Sequence, residues 1–452
     1  MLTTIRNAWK VQELRNKLLF TIFALLIFRL GCAIPVPFIN GKVLSEYMSA
    51  QSATIFGLLN VMSGDAFSQA TLFALSIQPY INASIIIQLL TIAIPALERL
   101  AKDGGEEGKR KIEAITRYTT VGIAILQGFG YYTWINYYNN NGLNMLNAPE
   151  GYGVWVAFVI VAAFVAGSAF VMWLGEQITE FGIGNGISII LFGGIVARGP
   201  AMISTMISGV RSWANKADSA SAKTLHPGFI PLIIVGMLAL VVFVVFINDA
   251  ERRIPVQYAK RVVGRKMYGG QSSHIPIKVN MSGVLPVIFA QSIASIPATI
   301  GMFVPSATQE GTGWYKFLQV FDNTGLVYSI VYFLLIVMFS YFYSTIQFNP
   351  VEVANNLKKN GGFIPGFRPG RPTVEFLMRV ISRLTLFGAI YLAIVAILPT
   401  IVGNIMKACG SSAGGSLSIG GTSIIIIVGV ALETTKALEA QLMMRHYKGF
   451  LE

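Results

Sequence analysis

Ten apolar stretches recur along the chain, at residues 18–36, 72–97, 118–138, 152–174, 183–207, 229–248, 283–304, 326–347, 380–402 and 423–443. Each is close to or above the roughly 20 residues that cross about 30 Å of hydrocarbon as a helix. The pattern predicts an all-α, polytopic membrane protein with ten transmembrane helices. Two stretches, the second in each set of five, carry a proline among hydrogen-bonding side chains. These are Ser76, Gln78, Pro79, Asn82 and Ser84 in one, and Pro286, Gln291 and Ser292 in the other. Proline removes a backbone donor, and lipid offers nothing to the carbonyl left behind, so helices broken in this way face protein or a pathway. Breaks at matching places in two halves predict a conduit.

Composition agrees. A chain with 54% hydrophobic and 12% charged residues and a mean hydropathy of +0.62 is not an ordinary soluble domain. Its formal net charge of +13 would point toward nucleic acid in a soluble protein, but here the placement among loops carries the information. Counted from an inward-facing amino terminus, one side collects Arg6, Lys10, Arg15 and Lys17, then the cations between Arg99 and Arg117. The same side collects those between Arg252 and Lys278 and between Lys358 and Arg383, and finally Lys436, Arg445 and Lys448. The other side keeps Lys42, Arg198, Arg211, Lys216, Lys223, Lys316 and Lys407. The positive-inside rule then puts both termini in the cytoplasm. Trp9, Trp134, Trp155, Trp173, Trp213 and Trp314 fall near predicted span ends, as interfacial aromatics do. The first stretch is full-length and lacks a small-residue cleavage site, so it is expected to remain as a span.

No catalytic constellation is legible. His226, His274 and His446 lack ligand spacing, so neither a metal nor another cofactor is expected. The glycine-rich run at 104–110 lacks the Ser or Thr that follows Lys in a phosphate loop and reads as a flexible charged loop. The run at 182–186 has no preceding strand and reads as a close-packed helix start. Cys32 and Cys409 allow either one bridge or two free thiols. Only Arg29 lies deep within a span, where a charge costs about 2.5–3.5 kcal/mol on insertion scales. It either neutralises a partner inside the bundle or snorkels toward a headgroup. Glu98, Glu176, Glu180 and Glu433 lie near cytoplasmic ends, which disfavours a proton-coupled carrier.

The cytoplasmic loops carry ordered turn chemistry. Asn349, Pro350 and Glu352 supply an N-cap, a first-turn proline and a capping acid, while Lys358, Lys359 and Gly361 supply a basic last turn and a stop. They predict a short projecting helix, followed by a proline-stiffened basic tip at 363–372. The loop from Arg252 to Lys278 is also basic, with hairpin-like alternation around Ile254, Pro255, Val256, Gln257 and Tyr258. Two ordered prongs suit docking of a partner; the positive-inside rule by itself accounts for their charge.

Residues 73–90, 175–188, 255–261, 350–370 and 420–423 together resemble the SecY family of bacterial protein-conducting channels, in the right order and over all but the extreme ends of the chain. Ser76 stands where that family commonly has glycine. The resemblance implies two pseudosymmetric, inverted five-helix halves, 18–207 and 229–443, joined by an outer loop at 208–228. It also implies a cytoplasmic arm at 1–17, a cytoplasmic tail at 444–452 and docking loops at about 249–282 and 348–379. At mid-membrane it implies a ring of Ile77, Ile81, Ile187, Leu191, Ile288 and Ile426. Branched aliphatic side chains offer no hydrogen bonds to water or ions, so a narrow ring of them gates by dewetting.

The segment at about 58–71 corresponds to the family's plug, a short helix filling the outer funnel. Its apolar members Leu58, Leu59, Val61, Met62 and Phe67 contribute about 1.5–3 kcal/mol each when fully buried, while Ser63, Gly64 and Asp65 are expected to limit how tightly it seats. A lateral gate is implied between the second and third spans and the seventh and eighth. Asn82, Gln88, Gln127, Gln291 and Ser292 are its candidate polar contacts, each hydrogen bond worth about 0.6 kcal/mol and at most roughly 2. About ten apolar residues of a signal sequence, at about 0.3–0.6 kcal/mol each, contribute roughly 3–6 kcal/mol. That is near the about 5.5 kcal/mol that moves a two-state gate from 1:99 to 99:1.

The resemblance further implies partners: the small membrane subunits SecE and SecG, signal sequences and unfolded polypeptides, and the lipids of the bacterial plasma membrane. The motor ATPase SecA or the ribosome would dock at Arg252, Arg253, Tyr258, Lys260, Arg261, Lys358, Arg368 and Arg371. The chain carries no ATP site, so a channel subunit rather than an enzyme is expected. Read from the residues alone, a secondary transporter holding a small polar solute at Asn82, Gln88 and Gln291 also fits ten spans with broken helices. So does an insertase without an aqueous pore.

Overall fold

The structure, a computed structural model, describes residues 2–50, 60, 63–147, 151–214, 227–258, 261–263, 266–268, 272–303, 313, 325–408 and 421–448. The first half opens with α1 (Leu2–Lys10) and α2 (Gln12–Gly31), the first span, followed by α3 (Gly41–Ala50). The second span is helical only from its proline onward: turns occupy residues 72–77, α4 (Gln78–Ala93) holds Pro79 in its first turn, and α5 (Pro95–Lys102) leaves it at a bend of 105°. α6 (Gly105–Tyr138), α7 (Gly153–Phe181), α8 (Gly186–Ala197) and α9 (Gly199–Ala214) complete this half. The second half contains α10 (Phe229–Asp249), then α11 (Leu285–Ala294) and α12 (Ile296–Phe303) as the seventh span. α13 (Leu326–Gln347), α14 (Pro350–Lys359), α15 (Arg371–Ala408) and α16 (Gly421–Lys448) follow. Like α4, α11 begins beside its proline, Pro286. Both prolines therefore start helices, where the missing N–H would be unpaired anyway.

Among the described residues, six helices are by themselves long and apolar enough to cross a membrane, and seven if the bent pair at α4 and α5 is one span. The other three predicted spans fall on α2, α6 and α16, whose apolar runs continue into charged ends such as Arg15 and Lys17, Lys109 to Lys111, and Lys436. The glycine run before α8 is a close-packed helix start, as its sequence indicates. The Asn185 side chain accepts from the Ile187 and Ser188 amides, and a Cβ on Gly186 would overlap the Gly175 carbonyl of α7.

A small sheet extends this helical body on the side of the basic loops. β1 (Glu251–Tyr258) pairs antiparallel with β4 (Ser272–Lys278) on one edge and with β5 (Gly362–Phe363) on the other, while β2 (Arg261–Val263) and β3 (Lys266–Tyr268) form a separate hairpin. The registers Ile254↔Ile275 and Gln257↔Phe363 fix the join. Alternation along β1 turns Ile254 and Val256 inward, and they pack with Ile277, Ala354 and Leu357 of α14, Ile364, and Leu377 and Ile381 of α15. The two basic loops are therefore one unit with its own core. Between the halves, α4 lies against α11, α6 against α12, and α8 against α16.

Candidate functional site

Ile77, Ile81, Leu191, Ile288 and Ile426 are each no more than 4% exposed and belong to one apolar cluster drawn from both halves, with the half-buried Ile187 packed against it. Their positions follow from the helix starts. Ile77 is the N-cap residue of α4 and Ile288 lies in the first turn of α11, so the breaks and the ring residues coincide. A Cβ on Gly175 would lie 3.5 Å from Ile77 Cδ1 and 3.6 Å from Ile187 Cγ1, so these two side chains meet over the backbone of α7. Ser76, just before the ring, has φ at 49°, in the left-handed region that side chains disfavour, and its buried hydroxyl has no partner. Its carbonyl accepts from Ser168 Oγ at 3.3 Å.

Of the segment matched to the plug, Leu58, Leu59, Val61 and Met62 lie outside the described residues. Of the remainder, Asn60 is helical and the residues from Ser63 to Ala70 are not. Residues 63–70 form successive turns, with left-handed φ at Gly64 (65°), Asp65 (71°) and Ala70 (45°). Nor do Ser63, Gly64 and Asp65 hold the segment off its seat, as their polarity led us to expect; they are what fastens it. Cys32 Sγ reaches the Ser63 carbonyl at 4.0 Å, and Arg29 Nη1 donates to the Gly64 carbonyl at 3.0 Å. Arg198 Nε lies 3.0 Å from Asp65 Oδ1, which also accepts from Asn60 Nδ2 at 2.9 Å. A Cβ on Gly64 would stand 2.9 Å from the Gly194 carbonyl of α8. Arg29 thus has a neutral partner in this segment while its side chain stays exposed. Phe67 is buried and stacks on Tyr131 with ring centroids 4.5 Å apart, and the Tyr131 hydroxyl donates to the Phe67 carbonyl.

At the seam between halves, Gln291 and Ser292 are buried on α11, Asn82 and Gln88 are half-buried on α4, and Gln127 is half-buried on α6. The hydrogen bonds expected of them across the seam do not form among the described residues. Gln88 Oε1, Gln291 Oε1 and Ser292 Oγ are buried without a partner, as are both amide atoms of Gln78. Gln78 and Gln127 instead line a cavity of about 30 Å³ with Ser63, Phe67, Leu191 and Thr299. That is enough for a water or two at about 10–15 Å³ each. Plug segment, ring helix and seam all border this one cavity. At its far end the seam is tight, because a Cβ on Gly130 of α6 would lie 2.9 Å from Phe303 Cζ of α12.

The family model described as SecY matches residues 71–435. The chain is 45% identical over 461 residues to the protein translocase subunit SecY of Streptomyces coelicolor and 42% identical over 466 residues to that of Mycobacterium tuberculosis, with 100% of both partners covered each time. The chain belongs to the SecY family. Its fold is similar to that of a solved protein-conducting channel (TM-score 0.59, 18% identity, 94% of this chain and 92% of that one). It is equally similar to Sec61 in a canine ribosome-channel complex from the endoplasmic reticulum (TM-score 0.58, 18% identity, 94% and 92% covered). This SecY-family chain is accordingly a multi-pass membrane protein and a channel subunit of a protein translocase, not a carrier of small solutes.

On the basic side of this SecY-family chain, Arg252, Arg253 and Tyr258 are exposed on β1, Lys358 on α14, and Arg368 and Arg371 beyond β5. Arg371 Nε lies 3.3 Å from Glu375 Oε1 one turn on. Arg261 opens β2, and Lys260 lies outside the described residues, as does Cys409. Asn349 caps α14 as its sequence predicts, accepting from the Val351 and Glu352 amides at 3.2 and 3.4 Å. Sequence reasoning missed Arg198 and Tyr131, and it noted Gln78 in the broken span without placing it among the gate contacts. Arg198 was counted only as a charge on the far side, and nothing near it in the chain marks Asp65 as its partner.

Proposed function

We propose that the chain passes unfolded secretory polypeptides through the ring formed by Ile77, Ile81, Ile187, Leu191, Ile288 and Ile426, and releases transmembrane segments sideways through the seam between the second and third spans (α4 and α6) and the seventh and eighth (α11 with α12, and α13). The observation that carries this reading is the single apolar cluster drawn from both halves at the level where α4 and α11 begin, with the Phe67 segment packed beside it. In this reading the membrane is the bacterial plasma membrane and both termini are cytoplasmic, because the cations gather on that side. The sheet-bound unit bearing Arg252, Arg253, Tyr258, Lys358, Arg368 and Arg371 receives the motor ATPase SecA or the ribosome, which supply the energy that this chain, a channel rather than an enzyme, does not. SecE and SecG complete the assembly. The unpaired atoms of Gln88, Gln291 and Ser292 make the closed seam weak, so an apolar signal sequence that replaces it at α4 and α11 tips the balance.

The test places a photo-crosslinking residue at Ile81 and, separately, at Ile288, and presents a secretory chain stalled midway. Phe243, which is 48% exposed on α10 and is not part of the apolar cluster that holds the ring, is the control. Strong crosslinks at both ring positions and little at Phe243 are expected. An engaged chain that crosslinks at neither would overturn the ring.

A further inference from the structure

The plug segment is fastened almost wholly to the first half. Arg29 of α2 holds the Gly64 carbonyl, and Arg198, the residue that ends α8, holds the Asp65 carboxylate, each at 3.0 Å. Parting α4 from α11 therefore leaves these contacts intact, and something more than seam opening is needed to free the plug. The same helix α8 carries Ile187 and Leu191 of the ring and packs on α16 of the other half. A displacement of α8 relative to α2 pulls on both anchors together. The Asp65–Arg198 pair is charge-assisted, and such bonds are roughly twice as strong as neutral ones. Its side chains are 27% and 34% exposed, so salt screens it in part.

We propose that Asp65 and Arg198, with Arg29 behind them, form a polar latch that sets how strong a signal sequence must be to open this channel. The proposal rests on the plug reading above and adds to it the residues that determine stringency. Breaking the pair makes the unlatched state about tenfold more populated, the equivalent of about 1.4 kcal/mol. Ions then leak at rest, and substrates with weakly apolar signals are translocated.

The experiment uses the complete translocase in proteoliposomes, with resting ion conductance and translocation of a weak-signal substrate as readouts. The variants are Asp65→Asn, which suits a left-handed residue, Arg198→Gln, and the two together. Gly64→Val serves as a mechanical control that unseats the segment by overlap with Gly194. Each single variant is expected to raise leak and weak-signal export about tenfold, the double variant no more than either single. Wild-type export of the weak-signal substrate should rise with ionic strength as the pair is screened, and the pair variants should lose that dependence, which a merely structural effect would not do. If Gly64→Val leaks while the pair variants stay tight, or if the singles add, the latch is overturned and the plug reading stands. If Gly64→Val is also tight, both are overturned.

Discussion

Ser76 offers the sharpest quantitative test of the geometry around the ring. Its φ of 49° places a side chain in the left-handed region, at about 1–2 kcal/mol for a residue with a Cβ. Glycine takes the same conformation freely, and its greater unfolded-state entropy returns about 0.5–1 kcal/mol of the gain. The buried hydroxyl, unpartnered in the fold, adds about 1–3 kcal/mol of desolvation to the serine form. Ser76→Gly should therefore stabilise the folded channel, and Ser76→Ala, which removes the hydroxyl but keeps the Cβ, should gain less. The difference between the two variants isolates the backbone and is expected to be about 1 kcal/mol in favour of glycine. Equilibrium unfolding in mixed micelles measures it. An alanine variant as stable as the glycine one would refute the strain argument, and a glycine variant below wild type would refute the placement of Ser76.

Three further outcomes follow from the packing. Ile81→Asn and Ile288→Asn each put an amide without partners into the apolar cluster, weakening the closed state by about 1–3 kcal/mol; resting leak should rise and poorer signals should pass, and unchanged selectivity would count against the ring. Gly186→Ala drives a methyl into the Gly175 carbonyl, so the α7–α8 hairpin should lose at least about 2 kcal/mol, seen as poor accumulation and a lowered unfolding midpoint. Asn349→Ala removes the cap of α14, worth about 1 kcal/mol; limited proteolysis should cut the basic unit faster, and motor-driven export should fall while resting leak stays at the wild-type level.

The hydropathy pattern and two prolines made the helical body and its breaks legible, because lipid leaves a spanning chain few alternatives to helix. Asn349 was legible for a local reason too, since a cap and its amides lie within a few residues. What escaped was non-local. The pairing of Gln257 with Phe363 joins segments far apart in sequence, so two prongs read separately turn out to share one sheet. Ser63, Gly64 and Asp65 looked like poor packers because their polarity was weighed without Arg29 and Arg198, which come from two other helices. The reverse holds for Gln291 and Ser292, which read as polar contacts of the gate and whose side-chain oxygens are buried without a partner among the described residues.

The sheet that joins the two basic loops also has a mechanical meaning. Its core includes Leu377 and Ile381 of α15, and both loops spring from the second half. A body that grips this surface holds a handle rigidly fixed to one half of the channel and touching the other nowhere within that core. A push applied there would act on the second half directly, and would reach the first only across contacts between the halves such as those where α4 meets α11.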